Sequence, residues 1–177
     1  MTKKLTPEEI VKSLKDEFKT KIKSARIEKH TAGSKKNELI HIWINVDRSV
    51  FKNVVKHLKN FEEYPHLAVA SGYDSDKNIV LIYHFAVYFG ERFKGIWLNI
   101  SVELPKSNPT IETITDIIPG ALITEQEKQE MLGVKIKGIP KDKRVFVSDD
   151  FPKDTFPWRK DNKGPGKMVR NLHEVKK

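Results

Sequence analysis

The chain alternates between apolar and polar residues with helical spacing near its start and with strand spacing through its middle. Thr6-Pro7-Glu8-Glu9 has the form of a capped helix start, and apolar residues recur behind it every three or four positions as far as Phe18. A second helix is predicted over 50–61, with Asp47 or Ser49 as its cap. The segments with strand character are 22–28, 40–46, 66–73, 79–89 and 96–104.

Short polar turns separate the last three of these strands, so we expect antiparallel neighbours, because a parallel crossover needs a dozen or more residues. Beyond them, Thr110 is predicted to cap a helix that ends before Pro119. Thr124 and Glu127 form a capping-box pair that predicts a short helix ending near Gly133. The predicted fold class is therefore α+β, a mostly antiparallel sheet packed with helices on one face.

The last quarter of the chain differs from the rest. Residues 134–177 contain four of the nine Pro and three of the nine Gly, and they show no sustained helical period. Aromatic residues recur there at intervals, as at Phe151, Phe156 and Trp158. We therefore predict an α+β body over 1–133 and an extended C-terminal arm over 134–177 that wraps a partner subunit. The alternative is that the segment folds back and covers its own sheet.

The charge distribution supports this division. The chain carries a net charge of +9, but residues 1–133 hold 20 basic and 18 acidic side chains, whereas residues 134–177 hold 13 basic and 6 acidic ones. No Cys is present, which excludes disulfides, thiolate zinc sites and cysteine-ligated iron–sulfur clusters. The longest stretch without Lys, Arg, Asp or Glu has 13 residues, too short to span a bilayer. We expect a soluble, intracellular polypeptide that reaches a membrane only through its partners.

Patterns typical of catalysis are weak. The six His show no metal-ligand spacing, and no Ser/His/Asp arrangement is recognisable. Gly164-Pro165-Gly166-Lys167 lacks the second half of a phosphate-binding loop. The sequence therefore predicts no catalytic, metal-binding or cofactor-binding residue.

Two motifs carry more information. The first runs from Glu125 to Pro140, and the second comprises 149–152 together with 157–161. They resemble the C subunit family of complex I, the proton-pumping NADH–quinone oxidoreductase, whose relatives serve in energy-converting membrane-bound nickel–iron hydrogenases. The resemblance covers roughly residues 121–161. The matching positions are Glu125, Glu127, Glu130, Met131, Gly133, Gly138, Pro140, Lys143, Arg144, Asp149, Asp150, Pro157, Arg159, Lys160 and Asp161.

Several positions depart from the family pattern. Gln126 stands where the family has Arg, Ile139 where it has His, and Trp158 where it has Leu. These departures, with a Lys-rich and Cys-free composition that leans towards a thermophilic source, favour a divergent branch such as the hydrogenase-type complexes of anaerobic archaea.

The resemblance implies a cofactor-free accessory subunit in the hydrophilic arm of such a complex, peripheral at the cytoplasmic face of the membrane. It would dock on the large hydrogenase-like subunit, the counterpart of the D subunit of complex I, beside the iron–sulfur subunit. Phe151, Phe156 and Trp158 would be apolar anchors, and Arg144 and Arg159 would pair with carboxylates across the interface. The acidic partner-binding residues predicted are Glu125, Glu127, Glu130, Asp149 and Asp150. Helix capping and solvated charge are the alternative explanation for the glutamates.

Other functions remain open at this point. The C subunit of a quinone-reducing complex I, or its counterpart in a related sulfur-reducing complex, fits the same motifs. A nucleic-acid-binding protein fits the net charge and the aromatic residues Trp43 and Trp97, but acids interleaved in the basic tail would repel phosphates. A soluble enzyme with an unrecognised site is a further alternative.

Overall fold

The computed structural model describes residues 4–34, 36–90, 95–140 and 144–168. Its helices are α1 (Pro7–Phe18), α2 (Phe51–His57) and α3 (Ala121–Leu132), with single 3-10 turns at Lys19–Lys21, Leu58–Asn60 and Pro165–Lys167. Its strands are β1 (Ile22–Ala32), β2 (Asn37–Val46), β3 (His66–Asp74), β4 (Asn78–Val87), β5 (Ile96–Pro105), β6 (Thr110–Glu112) and β7 (Lys135–Lys137).

Five strands form the main sheet in the order β1-β2-β5-β4-β3, and β6 and β7 form a separate pair. Within the main sheet only β2 and β5 run parallel, because the chain crosses from one to the other through α2, β3 and β4. The predicted α+β class with a mostly antiparallel sheet is confirmed.

The start of α1 has the predicted capping box. The Thr6 hydroxyl accepts a hydrogen bond from the Glu9 N–H at 3.2 Å, and the Glu9 carboxylate accepts one from the Thr6 N–H at 2.7 Å. The apolar stripe behind it buries Ile10 and Leu14 in the core. The sequence pattern thus determines where this helix starts and which side it buries.

The core lies between one face of the sheet and the helices. Ile42 and Ile44 from β2 and Leu98 and Ile100 from β5 are each at most 1% exposed, and they belong to one buried cluster with Phe51 of α2. The residues that alternate with them, such as those on the other face of β2, are only half-buried. The sheet therefore keeps one face open.

The helix predicted after Thr110 is wrong. Residues 110–112 form β6, which pairs in parallel with β7. The Thr110 hydroxyl donates to the Asn108 side chain at 2.6 Å instead of capping a helix. Ile111 and Ile114 are buried as the pattern required, but spacing of three over a short segment does not distinguish a helix from a strand followed by a turn. Pairing with β7, which is distant in sequence, decides the outcome.

The start predicted for α3 is also wrong. The helix begins at Ala121, with Gly120 at its cap, so Thr124 and Glu127 lie inside it. The Thr124 hydroxyl instead donates to the Ala70 carbonyl at 3.0 Å and accepts from the Ala70 N–H at 2.9 Å. Because β3 is an edge strand, this one side chain satisfies both backbone groups that would otherwise be free at the sheet edge.

The cap predicted for α2 differs as well. This helix begins at Phe51, and Val50 at its cap makes no side-chain hydrogen bond to the helix. The Asp47 carboxylate accepts hydrogen bonds from the N–H and the hydroxyl of Ser49, at 2.9 and 2.6 Å. These two residues therefore stabilise the turn that leads from β2 into α2, one step earlier than a helix cap.

We predict that Thr124→Val lowers the free energy of unfolding by about 1–3 kcal/mol, because it leaves the Ala70 N–H and carbonyl without partners in a partly buried place. Urea denaturation measures this change. Thr20→Val, at an exposed position before β1, is the control and should be close to neutral. Equal stability of the Thr124→Val variant and the wild type would contradict the role given to Thr124.

Candidate partner interface

Glu125 lies inside the protein. Its side chain is fully buried, and its carboxylate accepts hydrogen bonds from the Thr113 hydroxyl at 2.5 Å, the Ile114 N–H at 3.1 Å and the Tyr83 hydroxyl at 3.3 Å. Burial raises the pKa of Glu125, and these hydrogen bonds oppose the rise. The prediction that Glu125 faces a partner is therefore corrected. The residue ties α3 to the turn after β6 and to the sheet.

Glu127 and Trp158 both contact a buried lysine. Lys128 is 2% exposed, its ammonium contacts the Glu127 carboxylate, and it lies 5.0 Å from the centroid of the Trp158 ring. The Trp158 N–H donates to the Met131 carbonyl at 2.9 Å, which holds the segment against α3. Even so, 41% of Trp158 stays exposed. The ring is thus held in position with much of its surface facing outwards.

Glu130 holds the beginning of the described arm. Its carboxylate accepts hydrogen bonds from the N–H groups of Val145, Phe146 and Val147, at 2.6, 2.8 and 2.9 Å. Val145 and Phe146 keep their side chains 53% and 42% exposed. Glu130 therefore acts within the chain, and the result is a fixed pair of exposed apolar side chains beside α3.

Arg144 and the two adjacent acids lie in the same loop. The Arg144 guanidinium donates to the carbonyls of Phe151 at 2.7 Å and Ser148 at 3.3 Å, which closes the loop. Asp149 and Asp150 are exposed, and Phe151 is half-buried. Pairing of these two carboxylates with a partner stays a prediction.

Arg159 is 6% exposed and belongs to an internal ion cluster. Its guanidinium binds the Asp161 carboxylate through two nitrogens, lies 3.5 Å from Asp74 and donates to the Leu132 carbonyl at 3.3 Å. The prediction that Arg159 pairs with carboxylates of another subunit is therefore corrected, because its own chain supplies two of them.

Asp74, at the end of β3, is the buried centre of this cluster. Lys106 contacts its carboxylate at 2.5 Å, and the Lys160 N–H donates to it at 2.8 Å. Burial alone would raise the pKa of Asp74, but Lys106, the Lys160 N–H and Arg159 together hold that pKa below its usual value. The hydrogen bond from Arg159, with Lys106 nearby, lowers the pKa of Asp161 to about 2.

The sequence analysis missed Asp74, Lys106 and Asp161 as members of one site. Asp161 had a signal, since it closes the second motif two positions after Arg159. Asp74 had none, because it lies 86 positions from its partner Lys160 and reads as part of a polar turn.

Phe156 packs against the end of α3. Gly133 ends this helix with φ +70°, and a Cβ placed there would lie 2.6 Å from the Phe156 ring. Phe156 is half-buried as a result. Val134 and Ile136 are also buried, so the packed core continues past residue 133 into β7. That the arm wraps a partner subunit stays a prediction.

A basic cavity of about 390 Å³ lies between the end of α3, β7 and the loop after residue 144. Four cationic side chains line it, those of Lys135, Lys137, Arg144 and Lys153. The carboxylate that lines it, Glu130, already binds backbone N–H groups. The cavity therefore suits an acidic side chain of another protein.

Residues 44–168 match the family described as the respiratory-chain NADH dehydrogenase 30 Kd subunit. The chain belongs to this family. The resemblance to the complex I family inferred from the two motifs is thus confirmed.

Individual relatives come from several kinds of complex. The chain is 32% identical to membrane-bound hydrogenase subunit beta of Pyrococcus furiosus over 73% of this chain and 75% of that protein. It is 31% identical to the C subunit of F(420)H(2) dehydrogenase of Methanosarcina mazei, over 92% of this chain and 96% of that protein. A chain in the structure of a membrane-bound sulfane sulfur reductase, an archaeal respiratory membrane complex, shares the fold with a TM-score of 0.63 and 19% identity, over 96% and 95% of the two chains.

Two further observations concern the described residues alone. No helix among them has the length and apolar character needed to cross a membrane. Within the same ranges, no three His, Asp or Glu side chains come together in a way that could hold a metal ion.

We predict that the ion cluster makes stability depend on acidity. Because the pKa of Asp161 is lowered in the folded chain, its ionised form stabilises the fold above the unfolded-state pKa, and this contribution is lost as the pH falls from about 5 towards about 2. Asp161→Asn should therefore be less stable than the wild type near neutral pH, and the difference should shrink over this range.

Urea denaturation at a series of pH values measures the difference. Asp154→Asn removes an exposed carboxylate of the same segment and should follow the wild-type curve. A constant gap between the Asp161→Asn and wild-type curves at all pH values would show that the carboxylate charge is not what stabilises the cluster.

Proposed function

We propose that the chain is an accessory, non-catalytic and cofactor-free subunit of a membrane-bound, energy-converting redox complex of the nickel–iron hydrogenase type. It belongs to the hydrophilic arm at the cytoplasmic face of the membrane, which it reaches through partner subunits. Its role is to dock on the large catalytic subunit beside the iron–sulfur subunit and to stabilise it.

The observation that carries this proposal is the set of exposed apolar side chains fixed along α3. We define this α3 surface as Ile123, Val145, Phe146 and Trp158, which are between 41% and 54% exposed. Trp158 is held by Lys128 and Met131, and the backbone of Val145 and Phe146 is held by Glu130. Side chains that are already fixed lose little entropy on binding, so they suit the anchors of a protein interface.

The charges around this surface support a protein partner that carries acids. The basic cavity lies beside Val145, since Glu130 contacts the one and lines the other. An acidic side chain of the large subunit would enter the cavity, while the apolar anchors fill pockets of that subunit. The exposed Asp149 and Asp150 would meet basic groups at the rim.

The hydrogenase-type assignment follows the relative named membrane-bound hydrogenase subunit beta. A second candidate is the C subunit of a quinone-reducing complex I or its counterpart in a sulfur-reducing complex. The nearly complete coverage of the F(420)H(2) dehydrogenase relative and the fold of the sulfane sulfur reductase chain favour this candidate. The neighbouring reading frames distinguish the two. A large subunit with two Cys pairs supports the hydrogenase, and one without them supports the alternative.

We predict that the triple variant Val145→Ser, Phe146→Ser and Trp158→Ala stays folded but recovers at least about tenfold less large subunit when the tagged chain is purified from its own cells. Quantitative mass spectrometry of the purified complex measures the ratio. Substitutions are better than deletion of the arm, because deletion would remove Arg159 and leave Asp74 buried with one fewer cation.

Tyr64→Ser is the matched control. Tyr64 is 79% exposed in the loop before β3, outside the α3 surface, and its loss should leave recovery unchanged. Unchanged recovery with the triple variant, with circular dichroism showing a folded chain, would contradict docking through this surface.

A further inference from the structure

The open face of the main sheet has a composition unlike the rest of the chain. Strand register aligns 18 of its side chains in four rows across the sheet: Glu28, His41, Trp97, Ala86 and His66; Arg26, Trp43, Asn99, His84 and Val69; Ser24, Asn45, Ser101, Ile82 and Ser71; Glu103, Val80 and Tyr73. None of them is Lys, although the chain has 27 Lys. Surfaces depleted in Lys and rich in aromatic residues are typical of protein interfaces.

Aromatic rings contact one another along one end of this face. His41 stacks on Trp97 with centroids 6.2 Å apart, Trp97 contacts Phe89 edge to face at 6.5 Å, and Phe89 stacks on His66 at 4.9 Å. In the next row, Trp43 contacts His84 edge to face at 6.5 Å. The rings support one another, so they form a fixed platform instead of separate mobile side chains.

The three charged side chains of the face are not equally compensated. Arg26 and Glu28 form an ion pair at 3.0 Å. The Glu103 carboxylate accepts only amide hydrogen bonds, from Asn45 at 2.8 Å and Asn78 at 3.3 Å. Among the residues that the structure describes, no Lys or Arg lies within 4.0 Å of it. Glu103 therefore carries a negative charge that lacks a cation within the described part of the chain.

A cavity of about 320 Å³ opens on the face at this position. Glu103 lines it together with Trp43, Tyr73 and Asn45, and Val80 and Ile82 line its apolar part. The Asn45 side-chain oxygen is buried and accepts no hydrogen bond among the described atoms. The cavity thus presents a carboxylate, a free amide acceptor and two aromatic rings. A guanidinium group satisfies all of these, because it is planar, cationic and rich in N–H donors.

We propose that the open sheet face is a second protein-docking surface, separate from the α3 surface, and that its partner inserts an arginine side chain into the cavity beside Glu103. The aromatic platform would then pack against apolar groups that surround this arginine on the partner. The chain would bridge two proteins, one on each surface. This goes beyond the proposed function and does not depend on which subunit binds α3.

N-acetyl-arginine amide is the probe that tests the cavity on the isolated, isotope-labelled full chain by nuclear magnetic resonance. The indole signal of Trp43 and the side-chain amide signals of Asn45 should shift and saturate, with a dissociation constant in the millimolar range. Glu103→Gln should weaken this binding at least about tenfold, because it removes the charge and keeps the size. Glu112→Gln, at an exposed position of β6, should leave it unchanged.

Several results would overturn the proposal. They are the absence of saturable shifts, binding that persists in Glu103→Gln, and equal binding of N-acetyl-lysine amide. A single-stranded oligonucleotide that shifts the Trp43 and Trp97 signals with higher affinity would replace the protein partner by a nucleic acid. Self-association through this face, seen by sedimentation and abolished by Trp97→Ala, would assign it to a second copy.

A photo-crosslinking residue in place of Tyr73, which is 50% exposed, tests the same surface in the assembled complex. The expected product joins residue 73 to an arginine-containing peptide of a partner. A crosslinker at Phe146 reports the α3 surface in parallel. Products from residue 146 with none from residue 73 would refute the second surface and leave the proposed function standing.

Discussion

The buried ion cluster around Asp74 joins the most distant parts of the chain. It brings together the end of β3, Lys106 after β5 and the arm residues Arg159 and Asp161. A carboxylate at 0% side-chain exposure is costly unless cations and N–H donors surround it, and removing one partner of a buried pair costs about 3–5 kcal/mol. The arm is therefore held on the body by the same contacts that make Asp74 tolerable.

This attachment explains the geometry of α3. Once Arg159 is fixed beside the helix end, Trp158 must lie over Lys128, and Phe156 must pack on Gly133. The glutamates of the helix then face three directions. Glu125 holds the turn after β6, Glu127 pairs with Lys128, and Glu130 binds the loop at 145–147. Acids that look like a docking patch in the sequence thus act within the chain, and they leave apolar side chains exposed around them.

The two exposed surfaces differ in their physical character. The α3 surface combines separate apolar anchors with a basic cavity, whereas the open sheet face combines linked aromatic rings with an uncompensated carboxylate. Opposite charges on the two surfaces favour different partners. A small subunit with two such surfaces is well suited to join larger subunits.

The sequence alone determined the class, the family and the elements whose signals are local. The capping box at Thr6, the alternation in β2 and β5, and the motif ending at Asp161 all depend on near neighbours or on residue order. The tertiary structure decided the rest. It made 110–112 a strand by pairing it with β7, and it placed Thr124 on the sheet edge. It also turned Glu125 and Arg159 inwards, because their partners Tyr83 and Asp74 lie dozens of positions away, where sequence spacing carries no information on contact.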